Sequence, residues 1–172
     1  MADKHTGDEE ERATEAYDHI LDNLRGILSS TSELTRQEFD RALRSAGSSL
    51  DEASEFTRQE IDRAIKAVRK DWQNLMQAAD KQKDTFLQSE SFRQVANTSL
   101  EFLGRLSKSI KDFANVVDEK VDEQLTYHTG EVAGPGKFVC TECGKAMNFK
   151  KSGRIPPCSS CKNTSFRREF AA

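Results

Sequence analysis

Four cysteines constrain this chain more than any other feature. They fall as two Cys-x-x-Cys pairs with fourteen residues between the pairs, and the chain has no other cysteine. Each pair can offer two sulfurs from one tight turn, and the segment between must fold back to bring the pairs together. Tetrahedral zinc takes four thiolates at this kind of spacing. The sequence therefore predicts one structural zinc ion per chain, with the ligands Cys140, Cys143, Cys158 and Cys161.

Other uses of four sulfurs stay open as alternatives. A tetrahedral four-sulfur site also suits iron, so a rubredoxin-like FeS4 electron carrier is one, and a thiol redox pair is another. A catalytic zinc needs a coordination position without a protein ligand, which four cysteines do not leave. A helical di-iron bundle needs Glu-x-x-His motifs, and none of His5, His19 and His128 has a glutamate three residues before it. We therefore expect a protein that is not an enzyme.

The region before the cysteines has the pattern of long amphipathic helices. It contains no proline from about residue 11 to 125, and the segment 33–43 returns as 55–65 with a period of 22 residues, or twice 11. Eleven residues make about three helical turns, so the apolar stripe stays on one side of a nearly straight helix. A second amphipathic pattern covers about 91–126. The sequence predicts a mainly α fold, as a helical hairpin, bundle or coiled coil that self-associates.

Two places could divide the repeat into shorter helices. The segments 30–33 and 49–52 both fit the Ser-x-x-Glu capping box, and Gly26 and Gly47 precede them at plausible C-cap positions. One continuous rod and a series of helix–turn–helix units are therefore both compatible with the sequence.

Composition sets the remaining boundaries. Residues 1–10 are acidic and have almost nothing to bury, so we expect a disordered tail. The amphipathic helical domain then covers 11–126. Three glycines and a proline in 127–136 predict a linker. The remaining 137–172 would form a small β zinc ribbon, which is too short to be stable by burial alone, so the metal should supply part of its folding energy.

Strands and turns of the ribbon follow from the spacing of its residues. We expect left-handed backbone at Gly144 after the first cysteine pair and at Lys162-Asn163 after the second, where asparagine is the next best residue for that conformation. The segments 145–150 and 154–155 are interpreted as a hairpin, and Thr164 to Phe170 as a third strand.

Charge is distributed unevenly along the chain. Residues 134–172 hold eight Lys/Arg and two Glu, a balance of +6, whereas 1–133 hold eighteen Lys/Arg and twenty-seven Asp/Glu, a balance of −9. The basic ribbon could offer a surface to a protein partner, as an adaptor, or alternatively to nucleic acid, since Phe149 and Phe166 stand beside cations. The candidate contact residues are Lys150, Lys151, Arg154, Arg167 and Arg168.

The sequence has no apolar run approaching the ~20 residues of a membrane span, and its N-terminus lacks the apolar segment of a secretory signal. We therefore expect a cytoplasmic protein, where thiols serve as metal ligands rather than as disulfides. Lipid-surface helices also use 11-residue repeats, but they are basic, and the polar face here is mixed and net acidic.

The order of motifs in the C-terminal part resembles a known family. A Tyr-His-Thr-Gly-Glu segment at 127–131, Gly-Pro-Gly at 134–136, the two cysteine pairs and a closing Phe-Arg-Arg-Glu-Phe at 166–170 are similar to the YbeL-like bacterial zinc-ribbon proteins. The likeness covers roughly 126–172, and over the helices it is one of architecture only. It implies a ribbon, zinc on the same four cysteines and a bacterial cytoplasmic setting, and it implies no activity.

Overall fold

The structure, a computed structural model, describes residues 3–29, 36–81 and 125–169. Within these described ranges, three helices come first and six short strands follow. The helices are α1 (Asp3–Ser29), α2 (Arg36–Ala53) and α3 (Arg58–Lys81). The strands are β1 (Tyr127–His128), β2 (Val132–Ala133), β3 (Gly136–Cys140), β4 (Ala146–Phe149), β5 (Gly153–Arg154) and β6 (Ser165–Glu169). The helix predicted over 91–126 falls almost entirely outside the described residues.

The 22-residue repeat corresponds to two separate helices. Helices α2 and α3 begin at Arg36 and Arg58, which are equivalent positions of the repeat. The chain turns between them at Ser54, whose φ is 58°. A capping box then starts α3, because the Glu60 N–H donates to Thr57 Oγ1 at 3.3 Å and the Thr57 N–H donates to Glu60 Oε2 at 2.7 Å. Over this part of the chain, helix–turn–helix units replace the continuous rod.

The capping box predicted at 49–52 is wrong, because this segment lies inside α2. Ser49 there uses its hydroxyl to donate to Ser45 O at 3.1 Å, within the helix. The other predicted box, at 30–33, lies outside the described residues. Gly26 and Gly47 are also inside helices rather than at C-caps. A Cβ on Gly47 would lie 2.6 Å from Ile65 Cδ1, so this glycine allows α2 and α3 to pack closely.

The apolar stripes of the three helices form one core within a single chain. Trp72 stacks on Phe39 with ring centroids 4.5 Å apart, which joins α3 to α2. Burial of the stripes supplies most of the stability of such helices. The largest fully buried side chains of this core are Tyr17, Ile20, Phe39 and Leu43.

Two predicted boundaries differ from the structure. Helix α1 begins at Asp3, so the stretch predicted as a disordered tail is helical from residue 3. Adding a turn to an existing helix is far less costly than starting one, and the packed residues from Ala13 onward provide the start. The stretch 127–136 is not a linker, since it contains β1 and β2 and begins β3. Its tyrosine and alanine side chains are buried, which the count of glycines does not reveal.

The ribbon consists of a four-stranded antiparallel sheet in the order β1-β6-β3-β4 and a separate pair, β2-β5. Strand β4 pairs with β3, with Met147 opposite Phe138. Strand β5 pairs with β2, with Arg154 opposite Val132. The predicted hairpin between 145–150 and 154–155 is therefore wrong, because each of its two strands finds a partner N-terminal to the first cysteine.

One face of the sheet carries the ribbon's core. Tyr127, Phe138 and Phe166 are all less than 2% exposed, and the rings of Tyr127 and Phe138 meet edge to face at 5.1 Å. Ile155, Ala133 and the buried Cys140 and Cys158 complete this core. Among the described helices, none is long and apolar enough to cross a bilayer.

Candidate metal centre

The structure brings together the four cysteines that the sequence predicts as ligands. Their sulfurs all lie within 4.8 Å of one another. Across the two turns, Sγ of Cys140 and Cys161 are 3.5 Å apart, and Sγ of Cys143 and Cys158 are 3.6 Å apart. A tetrahedral ion with sulfur at about 2.3 Å has sulfur–sulfur edges of about 3.8 Å. The donor set therefore fits one metal ion held by four thiolates.

The two cysteine turns are built alike. The Gly144 N–H donates to Cys140 O and the Lys162 N–H donates to Cys158 O, both at 3.0 Å. Each donor residue has left-handed backbone, with φ of 70° at Gly144 and 63° at Lys162. The prediction for Gly144 agrees with the structure. The predicted place after the second pair, Lys162-Asn163, does contain the left-handed residue, but it is the lysine rather than the favoured asparagine, because the second turn has the same length as the first.

Asn163 instead connects the second turn to the first. Its side-chain amide donates to Thr141 Oγ1 at 3.0 Å and lies 3.5 Å from Cys140 Sγ. The same amide donates to Ser165 O at 3.1 Å, at the start of β6. An amide that bonds a ligand sulfur and its neighbouring backbone orients the ligand from outside the coordination sphere.

Backbone N–H groups point at the buried sulfur of each pair. The N–H of Cys143 lowers the pKa of Cys140 to about 6. The N–H of Cys161, with that of Ser160, lowers the pKa of Cys158. Each turn therefore favours the thiolate of its first cysteine, the form that binds a metal.

The pKa of Cys161 reflects how close the four sulfurs lie to one another. The N–H of Asn163 lowers the pKa of Cys161, but hydrogen bonds with the sulfurs of Cys143 and Cys140, together with burial, raise it to about 12. Four negative sulfurs this close need a cation between them. Cys143 and Cys161 are exposed whereas Cys140 and Cys158 are buried, so the site opens to the surface on one side.

A buried polar cluster joins the ribbon to the helices, and sequence reasoning missed its centre, Asp71 of α3. The carboxylate accepts hydrogen bonds from Tyr17 of α1 at 2.5 Å, from Tyr127 of β1 at 2.5 Å and from the Gly134 N–H at 2.7 Å. Nη1 of Arg168 lies 2.7 Å from it in an ion pair. The side chains of Asp71 and Arg168 are only 7% and 1% exposed. We call these five residues the Asp71 cluster.

Protonation within the Asp71 cluster follows from burial and charge. Burial raises the pKa of Tyr17 and of Tyr127 well above the usual value, and the charge of Asp71 raises both further. Burial lowers the pKa of Arg168, but the Asp71 charge outweighs it and the net shift is upward. The cluster therefore holds one ion pair and two neutral phenols.

The sequence does carry a signal for this cluster. Asp71 stands three residues after Val68 and four before Leu75, both of which are core residues of α3. A carboxylate at such a core position is rarely buried without a partner. Among the many carboxylates of the helices, this spacing would have separated Asp71 from the solvated ones.

Among the five candidate contact residues, Arg168 is the one that the structure shows to be buried. Neighbouring residues of a strand point to opposite faces, so Arg167 is 68% exposed while Arg168 points inward. Its guanidinium lies 5.2 Å from the Phe138 ring centroid and donates to Pro135 O. The prediction that Arg168 contacts a partner is therefore wrong.

The other four candidate residues are exposed but do not share one place. Lys150 and Lys151 follow β4. Arg167 lies on β6, 3.8 Å from Glu169. Arg154 lies on β5 beside Gly130, with its guanidinium in a cleft between the ribbon and the helices.

A helical body joined through a buried ion pair to a four-cysteine β ribbon defines the class of this protein. The family model described as a zinc-ribbon containing domain matches residues 26–170, and the chain belongs to that family. No curated protein and no solved structure matches the chain. The match extends the likeness from the C-terminal motifs to most of the helical part.

Proposed function

We propose that this protein is a non-enzymatic interaction module, in which a structural zinc ion holds the ribbon in shape and the ribbon presents a surface to a protein partner. The observation that carries the proposal is the four-sulfur geometry, with every sulfur within 4.8 Å of the others. Four protein thiolates fill a tetrahedral site and leave no position for a substrate or a reactive water.

The exposed end of the ribbon supports an interaction role. All side chains from Thr141 to Ala146 are exposed, as are those from Ser159 to Lys162. These two turns carry Lys145 and Lys162 against Glu142, and the ribbon adds Lys150 and Lys151 after β4, at the end of that strand away from the turns. An excess of positive charge on a small surface favours a partner with an acidic face and speeds association.

The nucleic-acid alternative has lost support. Stacking on bases needs exposed aromatic rings, but Phe166 is 1% exposed, and the half-buried Phe149 packs against the ribbon's core with its ring centroid 5.2 Å from that of Phe138. Arg168 is also buried. The rings that the sequence placed beside cations pack in or against the core of the ribbon, and in the described part of the chain no fully exposed ring stands beside Lys150, Lys151 or Arg167.

Elemental analysis of the purified chain with an absorption spectrum tests the metal. We expect one equivalent of zinc and no visible colour. Cys143→Ser should lose the zinc, and Ser159→Ala, an exposed change inside the second cysteine pair, should keep it. One equivalent of iron with visible absorption would overturn the structural-zinc proposal and favour the FeS4 alternative.

Affinity capture tests the partner. The variant Lys150→Glu/Lys151→Glu should lose proteins that the original chain retains, whereas Arg41→Glu/Arg44→Glu, the same charge change on exposed positions of α2, should keep them. Nuclease treatment separates the two proposals, because a partner bound through nucleic acid disappears from all samples. Unchanged capture by both variants would contradict an adaptor role of Lys150 and Lys151.

Self-association and a cytoplasmic location are further parts of the proposal. The described helices already bury their stripes against each other, so self-association would have to use other surfaces. Light scattering of the purified protein tests it, and the mass of a single chain would contradict it. Cell fractionation tests the location, since a reducing compartment keeps the thiols available for metal.

A further inference from the structure

A cleft of about 820 Å³ lies between the helical body and the ribbon, outside the metal centre. Helices α1 and α3 form one wall, and the β1–β2 turn with β5 forms the other. The volume is within the range of sites that bind small molecules.

Positive charge converges on this cleft from both walls. Arg63, Lys66 and Lys70 lie at spacings of three and four residues, on one face of α3, and Arg154 approaches from β5. Among the described residues of the lining, the one acidic residue is Glu131, whose two oxygens accept from Lys70 at 2.9 and 2.8 Å. That pair is neutral as a whole. In formal charge, the described residues of the lining therefore carry three more positive than negative groups, although residues 1–133 of the chain are net acidic.

The walls are held in place by bonds that do not involve a ligand. Lys70 also donates to Thr126 O at 3.0 Å, which fixes the end of α3's basic face to the ribbon. A Cβ on Gly130 would lie 3.2 Å from an Nη of Arg154, so the guanidinium rests against the Gly130 backbone on the cleft wall. The Asp71 cluster sets the distance between the two walls. A preformed site avoids the cost of ordering it on binding.

The rest of the lining is small and apolar. Ala13, Ala67 and Val132 are between 7% and 9% exposed and give the cleft an uncharged surface next to its cations. A lone inorganic ion would leave this surface unused. An organic molecule that bears a charged group at one end would cover it.

We propose that this cleft binds a small organic phosphate with at least two negative charges. Its phosphate lies among Arg63, Lys66 and Arg154, and its organic part packs on the three apolar residues. Arginine and lysine side chains form charge-assisted hydrogen bonds to phosphate oxygens, and arginine can do so with two parallel N–H groups.

Calorimetric titration of the zinc-loaded full chain with adenosine diphosphate, and separately with inorganic pyrophosphate, tests this site. We expect saturable binding of one adenosine diphosphate per chain, weaker binding of pyrophosphate, and affinity that falls as salt is added. The variant Arg63→Glu/Lys66→Glu should weaken binding by about tenfold or more, because it removes charge-assisted bonds and introduces repulsion.

The 22-residue repeat supplies the matched control. Arg41 and Arg44 of α2 stand at the positions equivalent to Arg63 and Lys66, are exposed, and do not line the cleft. Arg41→Glu/Arg44→Glu should therefore leave adenosine diphosphate binding unchanged while altering net charge equally. The proposal is overturned if neither probe gives saturable binding at low salt, or if both variants weaken binding to the same degree.

Discussion

Asp71 of α3 and Arg168 of β6 form an ion pair at 2.7 Å that joins the helical body to the ribbon across 97 positions of the sequence. Both side chains are almost fully buried, and the remaining acceptor capacity of the carboxylate is used by two phenols and one backbone N–H. A buried charge is tolerated when it is paired and hydrogen-bonded in this way. The orientation of the ribbon on the helices therefore depends on these contacts.

Removing one member of the pair should destabilise the protein strongly. Asp71→Asn leaves the Arg168 guanidinium buried without a counter-charge, and we expect a loss of about 3–5 kcal/mol in the free energy of unfolding. Arg168→Met should cost a similar amount. Denaturant unfolding of both variants and of the double variant forms a cycle, in which the double variant loses less than the sum of the two.

The neighbouring arginine is the control for this cycle. Arg167→Met changes an exposed side chain on the same strand, so its effect should stay within about 0.5 kcal/mol. Strictly additive effects of Asp71→Asn and Arg168→Met would contradict an energetic coupling between the two residues.

The phenols of the Asp71 cluster should titrate only when the protein unfolds. Tyr17 and Tyr127 are the two tyrosines of the chain, so phenolate absorbance near 295 nm reports this cluster alone. Their pKa values are raised by burial and by Asp71. A raised pKa means that this contribution to stability is present below the ordinary value of about 10 and is lost as pH rises through the folded value.

The phenols should therefore ionise at higher pH in the folded protein than in the unfolded chain. In denaturant, phenolate should appear with a pKa near 10, whereas under native conditions it should appear only at higher pH and together with loss of helical signal. Phenolate formation near pH 10 in a protein that keeps its helical signal would show that the two hydroxyls are not buried against Asp71.

Removing the metal should weaken the helices as well as the ribbon. Without it the ribbon loses part of its folding energy, and Asp71 then loses its partners Tyr127, Gly134 and Arg168. Trp72, the one tryptophan, is stacked on Phe39 in the helical core, so its fluorescence reads the helical body alone. A chelator should lower the melting temperature read by Trp72 by several degrees, since about 1 kcal/mol corresponds to roughly 2–4 °C in a chain of this size.

Added zinc should restore the original melting temperature after the chelator is removed. The Cys143→Ser variant provides a second route, because it should melt at the lower temperature with or without chelator. A Trp72 melting curve that is identical with and without metal would mean that the helical body is stable independently of the ribbon.

Gly134 should not accept even one methyl group. A Cβ there would lie 2.5 Å from the Tyr17 hydroxyl and 3.0 Å from Asp71 Oδ2. Gly134→Ala should therefore cost about 1–3 kcal/mol, measured by denaturant unfolding, by forcing the cluster apart. Gly26→Ala is the matched change within α1, where a Cβ meets no atom within 4 Å, and it should stabilise by about 0.5–1 kcal/mol because alanine favours a helix interior. Equal effects at both positions would contradict close packing at Gly134.

The fold could be predicted in part from local patterns. The helical spacing and the 22-residue period indicated helices, and α2 and α3 begin one period apart. The ends of these helices were predicted less well, because Gly47 looks like a C-cap in sequence and only the packing of Ile65 against it explains its place inside α2. In the ribbon, the residues of β4 and β5 were recognised as extended, but their partners were not, since pairing between distant strands leaves little trace in the sequence of either strand.

The sequence by itself determined the candidate ligands, because four cysteines at this spacing can close on one ion through two local turns. It also determined the order of a helical part and a small β part, since hydrophobic period and turn residues act over a few positions. Only the tertiary structure decided that Arg168 faces inward and Arg167 outward, and that Asp71 is buried among groups from α1, β1 and β6. Burial of charge depends on contacts between residues far apart in the chain, and no local pattern fixes those.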